Sequence, residues 1–144
     1  MTVVLVDDDK DDRMLFEEVF SELKVKCELL LFENGSKALK QLEKSDFRVP
    51  HIIFLDLNMP IVDGLEIVEM LRRTSKYRDV PIAIYSTSSS DKDMQDTLIR
   101  GANIYIVKPN DYNRLKEVLE NVMRMQWQYN SSSLSMDTFV KVYK

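Results

Sequence analysis

Val3-Val4-Leu5-Val6-Asp7-Asp8-Asp9, residues 3–9, runs four branched apolar residues straight into three carboxylates. An apolar run without alternation predicts a strand covered on both faces, as in parallel sheets. The residues that follow change period. Across 11–23, Met14, Leu15, Val19, Phe20 and Leu23 share one helical face. The same alternation then recurs. A strand over Cys27–Phe32 is broken by Asn34-Gly35-Ser36, and Lys37–Glu43 reads as a short helix. Ile52–Leu55 is the third apolar run. Asp63 caps a helix over Leu65–Arg73, with Leu65, Val68 and Leu71 inward. Ile82–Tyr85 follows Pro81, and Ser90 or Asp91 caps a helix over Lys92–Arg100 that Gly101 ends. Ile104–Val107 stops at Pro109, and Asp111–Gln128 is the last helix.

Five strand-then-helix units predict an α/β domain: a parallel sheet with helices on both faces and right-handed crossovers. In such sheets ligands bind beyond the carboxyl ends of the strands. At 144 residues the chain suits one domain. The domain is expected over 1–128. Residues 129–144 form a separate tail, too short for an output domain, in which Phe139–Tyr143 could be extended. A net charge of -4 argues against a nucleic-acid binder. The lone Cys27 excludes an internal disulfide and fits a reducing cytosol. The N-terminal apolar run is too short for a signal peptide and no segment has transmembrane length, so a cytoplasmic protein without membrane contact is expected.

The strand ends carry the chemistry. The first ends in Asp7-Asp8-Asp9, the third in Asp56, the fourth in Ser86-Thr87 and the fifth in Lys108-Pro109. Each has a bland reading. Asp7–Asp12 could be a solvated acidic loop or a helix N-terminus favouring negative charge. Asp56 could be a turn residue, Lys108-Pro109 a loop, and the Ser/Thr run a solvated cap. Together, at one sheet edge, they suggest more. Crowded carboxylates call for a cation, and Mg²⁺ prefers oxygen ligands. A carboxylate can attack phosphorus, and the transferring group needs charge neutralisation more than covalent help.

Four segments resemble the receiver domain of two-component response regulators: VLVDDD at 4–9, IIFLDLNMPIVDG at 52–64, YSTSS at 85–89 and YIVKP at 105–109. The resemblance runs from residue 2 to about 128, with likeness to chemotaxis regulators and to cyanobacterial phytochrome response regulators. It implies a flavodoxin-like (βα)5 three-layer sandwich with strand order 2-1-3-4-5. It makes Asp56 the phospho-acceptor, Asp8 the direct metal carboxylate and Asp7 a second acid acting through water. Asn58 would offer its backbone carbonyl to Mg²⁺. Ser86 takes the switch hydroxyl position, Tyr105 the switch aromatic position and Lys108 the lysine position. Ser86 lies 30 residues after Asp56 and Lys108 lies 52 after it, as the family pattern has them. Asn58 and Ser88 would flank the path of the hydrolytic water, and the Lys108–Pro109 bond is expected cis. Val62 stands where the family often has Met, and Arg72–Asp79 is longer than in compact members.

The resemblance implies a phosphorelay switch rather than an enzyme: a single-domain regulator that takes a phosphoryl group from a histidine kinase or phosphotransfer protein. Phosphorylation would then change its contacts with an unknown downstream protein, not with DNA. A phosphohydrolase of the haloacid-dehalogenase type is the enzyme rival, but Asp56-Leu57-Asn58 lacks its Asp-x-Asp. A pseudo-receiver, folded alike but never phosphorylated, is the binding-module rival. It would be signalled by loss of an acid, the acceptor or the lysine, and all are present. On the last helix Tyr112, Met123 and Trp127 fall partly outside the core stripe, and the tail adds Phe139, Val140, Val142 and Tyr143. Two arrangements would cover them: a homodimer, or a tail folded back on its own domain.

Overall fold

In the computed structural model, which describes residues 1–131 and 141–144, strands and helices alternate from the first residues onward. The elements are β1 (Thr2–Val6), α1 (Lys10–Ser21), β2 (Glu28–Phe32), α2 (Gly35–Leu42), β3 (Ile52–Leu55), α3 (Gly64–Arg73), β4 (Ile82–Ser86), α4 (Asp91–Ile99), β5 (Ile104–Val107), α5 (Tyr112–Ser131) and β6 (Lys141–Tyr143). The sheet order is β2-β1-β3-β4-β5-β6, parallel throughout. The expected order 2-1-3-4-5 is present, extended by one strand.

The period-2 alternation of strand side chains divides the interior into two layers. Val3, Leu5, Ile52, Phe54, Ala83, Tyr85, Ile104 and Ile106 face α1 and α5, where they meet Phe16, Val19, Leu115 and Leu119. Val4, Val6, Ile53, Leu55, Ile82, Ile84 and Tyr105 face the other way, onto Ala38, Leu42, Ile67, Leu71 and Met94 of α2, α3 and α4. Both faces are covered, which is why these strands read as unbroken apolar runs.

Side-chain caps start four helices. Asp9, Asn34, Asp63 and Ser90 each accept from the backbone N–H three residues on. Ser90, rather than Asp91, serves α4. At the opposite end of that helix Gly101 takes φ +115, a conformation that favours glycine. Arg72 closes this end of the molecule. Its guanidinium donates to the carbonyls of Gly101, Tyr77 and Val80 and to Asn103 Oδ1, at 2.8–3.2 Å. Beside it Arg100 pairs with Glu69 of α3 at 2.7 Å.

Residues 141–143 fold back on their own sheet. β6 pairs with β5 in the register Ile104–Lys141, Tyr105–Val142, Ile106–Tyr143. Tyr143 is buried in the α1/α5 layer, and its hydroxyl donates to Met125 Sδ at 3.3 Å. Met123, expected partly outside the core stripe, is in the core because α5 turns it toward that layer. Phe139, Val140 and the side chain of Trp127 lie outside the described residues.

Candidate functional site

The carboxyl ends of β1 and β3 are adjacent, so the residues after them are neighbours by register. The Asp56 N–H donates to Val6 O at 2.9 Å, which continues the β1–β3 ladder one residue past β3. Asp7 and Asp56 therefore leave the sheet side by side, both buried, while Asp8 is exposed. Asp7 is held by its surroundings: its Oδ1 accepts from the Asp9 N–H at 3.0 Å, and its carbonyl accepts from Arg13 at 2.9 Å.

The loop after β3 is fastened at both ends. Leu57 and Met59 are buried in the α2–α4 layer, which leaves Asn58 outward between them. Gly64 returns the chain to Asp56. Its N–H donates to Leu57 O at 3.0 Å, and a Cβ there would lie 2.3 Å from Asp56 O, so only glycine fits. Between these anchors Ile61 holds φ 71 and is 90% exposed. The Val62 N–H bonds to Pro60 O at 2.8 Å, closing a three-residue turn around it. A β-branched residue is strained in that region.

Lys108 reaches the same point from β5. Its backbone N–H donates to Ser86 O at 2.7 Å. Its ammonium lies 2.9 Å from Asp7 Oδ2, 2.8 Å from Asp12 Oδ2 and 3.5 Å from Asp56 Oδ2, with a side chain only 7% exposed. The Tyr85 ring lies beneath it, its centroid 5.3 Å away. The described residues contain no cis peptide bond, so Lys108–Pro109 is trans, contrary to expectation. The trans form is favoured by about 0.5–1 kcal/mol, and the long lysine stem reaches the carboxylates from it.

The electrostatics follow from burial. Desolvation pushes the Asp56 carboxyl up to about 7; Lys108 opposes this, while Asp7 and Asp8 add to it. Burial likewise raises Asp7, against Lys108 and the Asp9 N–H. Burial alone would lower Lys108, but Asp12, Asp7 and Asp56 together carry it above the ordinary lysine value. Asp7, Asp8 and Asp56 can bring carboxylate oxygens within 4.8 Å of one another. Asp7 Oδ2 is buried and, despite its ion pair with Lys108, receives no hydrogen bond of good geometry. An all-oxygen donor set with an under-used buried oxygen fits a hard divalent cation.

The remaining expected residues lie along β4 and β5. Ser86 is fully buried, and its Oγ accepts from the Ser88 N–H at 3.1 Å. Tyr105 is buried as well, and its hydroxyl donates to Ser88 O at 2.9 Å. The Ser88 hydroxyl itself donates to Asp93 Oδ2 at 2.5 Å and accepts from the Ser90 N–H at 3.3 Å. Asp12 is the residue that reading the sequence missed. Its signal was its place in the acidic run that follows β1, in the first turn of α1.

The family model for a response regulator receiver domain matches residues 3–120. A chemotaxis protein CheY homolog of Campylobacter jejuni is 33% identical over 123 residues, which span 85% of this chain and 92% of the relative. A probable methanogenesis regulatory protein, FilR2 of Methanothrix harundinacea, is 29% identical over 133 residues, spanning 90% and 86%. Among solved structures, the phosphorylated cyanobacterial phytochrome response regulator RcpA superposes with a TM-score of 0.80 at 25% identity, over 93% of this chain and 96% of that one. The response regulator RPA3017, from red light signaling in R. palustris, gives 0.76 at 28% identity over the same shares. No helix among the described residues is long and apolar enough to cross a membrane.

Proposed function

The chain belongs to the response regulator receiver family, signalling modules that accept a phosphoryl group, and on that premise we propose that Asp56 is the acceptor. The observation that carries this reading is its position. Asp56 is a buried carboxylate at a strand end, with Asp7 and Asp8 beside it and the Lys108 ammonium 3.5 Å away.

One Asp56 oxygen forms the bond to phosphorus as the donor's bond to phosphorus breaks. The electron pair of that bond stays on the donor, a histidine imidazole where a histidine kinase or phosphotransfer protein supplies the group. Mg²⁺, held by Asp8, Asp56 and the Asn58 carbonyl with Asp7 acting through water, would offset carboxylate charge and the charge on the phosphoryl oxygens. Lys108 supplies the protein's own positive charge to those oxygens. Ser86, the last residue of β4, would donate its hydroxyl to one of them. It already accepts from the Ser88 N–H, so its movement is passed to the loop that Tyr105 holds. The message leaves as a changed protein contact, with a downstream protein of the cytoplasm as recipient. The receiver proper spans 1–128, and the tail 129–144 docks its last residues on the β5 edge.

The test is labelling. Incubation with acetyl phosphate and Mg²⁺ should add one acid-labile phosphoryl group, which excess chelator should prevent. Asp56→Asn should abolish it, because the amide is nearly isosteric but a poor nucleophile. Normal labelling of the Asn variant would remove Asp56 from the chemistry.

A further inference from the structure

We propose that Asp12 is a positioning residue which holds the Lys108 ammonium short of Asp56 until a phosphoryl group draws it across. This rests on Asp56 being the acceptor. The lysine has three carboxylates to choose from and is not shared evenly. Asp12 accepts a charge-assisted hydrogen bond from it at 2.8 Å, Asp7 lies 2.9 Å away in an ion pair without hydrogen-bond geometry, and Asp56 at 3.5 Å is at the limit.

The fold places Asp12 for this. It lies in the first turn of α1, where its own N–H donates to the cap Asp9 at 2.9 Å. That bond fixes the backbone from which the side chain reaches over the strand ends. The Asp12 side chain is 33% exposed, against 7% for the lysine. Asp12 is outside the three carboxylates that can share a cation. Its negative charge therefore engages the lysine without being needed as a metal ligand.

The consequence is a competition. With Asp56 free, Lys108 stays between Asp7 and Asp12. A phosphoryl group on Asp56 brings more negative charge and new acceptor oxygens within reach of an ammonium that has only three hydrogens. To reach those oxygens the ammonium must move toward Asp56, now 3.5 Å away, which stretches its 2.8 Å contact with Asp12, so the Asp12 pair opposes the phosphorylated form.

Beryllofluoride, a non-hydrolysable mimic of the phosphoryl group, reads this competition when titrated calorimetrically with Mg²⁺ into the intact chain. Asp12→Asn should bind it about threefold tighter, as fits loss of a partly exposed ion pair. Asp12→Glu should return to the wild-type value. Asp11→Asn removes the same charge from the exposed neighbouring position and should leave affinity unchanged. The ¹⁵N resonance of the Lys108 ammonium, assigned by its loss in Lys108→Arg, should shift in Asp12→Asn and not in Asp11→Asn. Equal effects of the two Asn variants would mean a general field and overturn the proposal, as would an unmoved Lys108 resonance in Asp12→Asn. A wild-type chain that takes neither beryllofluoride nor label overturns Asp56 as acceptor instead. The two failures are distinct, because the lysine resonance is read with no phosphoryl mimic present.

Discussion

The Tyr105 hydroxyl donates to the backbone carbonyl of Ser88 at 2.9 Å, while the Ser88 N–H donates to Ser86 Oγ at 3.1 Å. One residue of the β4–α4 loop thus joins the buried hydroxyl of Ser86 to the aromatic ring of β5. Tyr105→Phe keeps the buried ring and removes the tie. It should cost about 1 kcal/mol of stability and speed amide exchange across 87–90. Exchange as slow as in the wild type would mean the hydroxyl does not hold the loop.

Asp56→Asn should also change how stability depends on pH in chelator. Burial pushes the folded Asp56 carboxyl up to about 7, well above an unfolded aspartate, so the folded state keeps its proton where the unfolded chain has lost it. Stability from this group is present below pH 4 and is lost as pH rises through 7. The Asn variant escapes that loss and should exceed the wild type at pH 8 by up to roughly 4 kcal/mol. Parallel pH–stability curves for the two proteins would count against a raised Asp56.

Gly64→Ala puts a methyl group against the Asp56 carbonyl, 2.3 Å away, and that carbonyl belongs to backbone that cannot rotate aside. The variant should lose roughly 1–3 kcal/mol and label more slowly, because the collision displaces the acceptor's own residue. Wild-type melting and labelling would show that the loop absorbs the methyl group.

Ile61→Gly should act in the opposite direction. Strain at φ 71 costs on the order of 1–3 kcal/mol. Glycine relieves it, less about 0.5–1 kcal/mol for its greater freedom in the unfolded chain. The side chain is exposed and contributes little packing, so a modest rise in melting temperature with labelling intact is expected. A fall in melting temperature would mean the isoleucine packs better than its exposure implies.

Ending the chain after Gln128 removes β6 and the Tyr143 ring from the α1/α5 layer. The shortened protein should melt lower, and sedimentation should give a monomer both before and after truncation, because the tail is held in cis. A halved mass would establish a dimer through the tail.

The fold was legible because its strands are covered on both sides: Ile52–Leu55 and Ile104–Val107 have the bounds their apolar runs predict. Helix ends were legible where a side chain does the capping, as at Asp63 and Ser90. β6 was less so. Three residues at a sheet edge carry no periodic signal, and what makes them a strand is the unpaired rim of β5. The site residues were readable from where strands stop, but their mutual geometry was not. Asp12 is an unremarkable acid in a helix first turn until β5 delivers Lys108 to it from 96 residues away. The left-handed Ile61 had no signal either, because an exposed isoleucine is not a residue that favours that conformation.

The two ends of α4 are secured very differently. At its C-terminal end Arg72 donates to the Gly101 carbonyl and also binds the loop before β4, and Arg100 ties the helix to Glu69. At its N-terminal end the tie to the acceptor loop is a few hydroxyl contacts, the Ser88–Asp93 bond chief among them. Such a helix is a lever with its fulcrum at Gly101. A displacement of Ser88 is therefore expected to move the Asp91 end of α4 more than the Ile99 end, which Arg72 and Arg100 tie down.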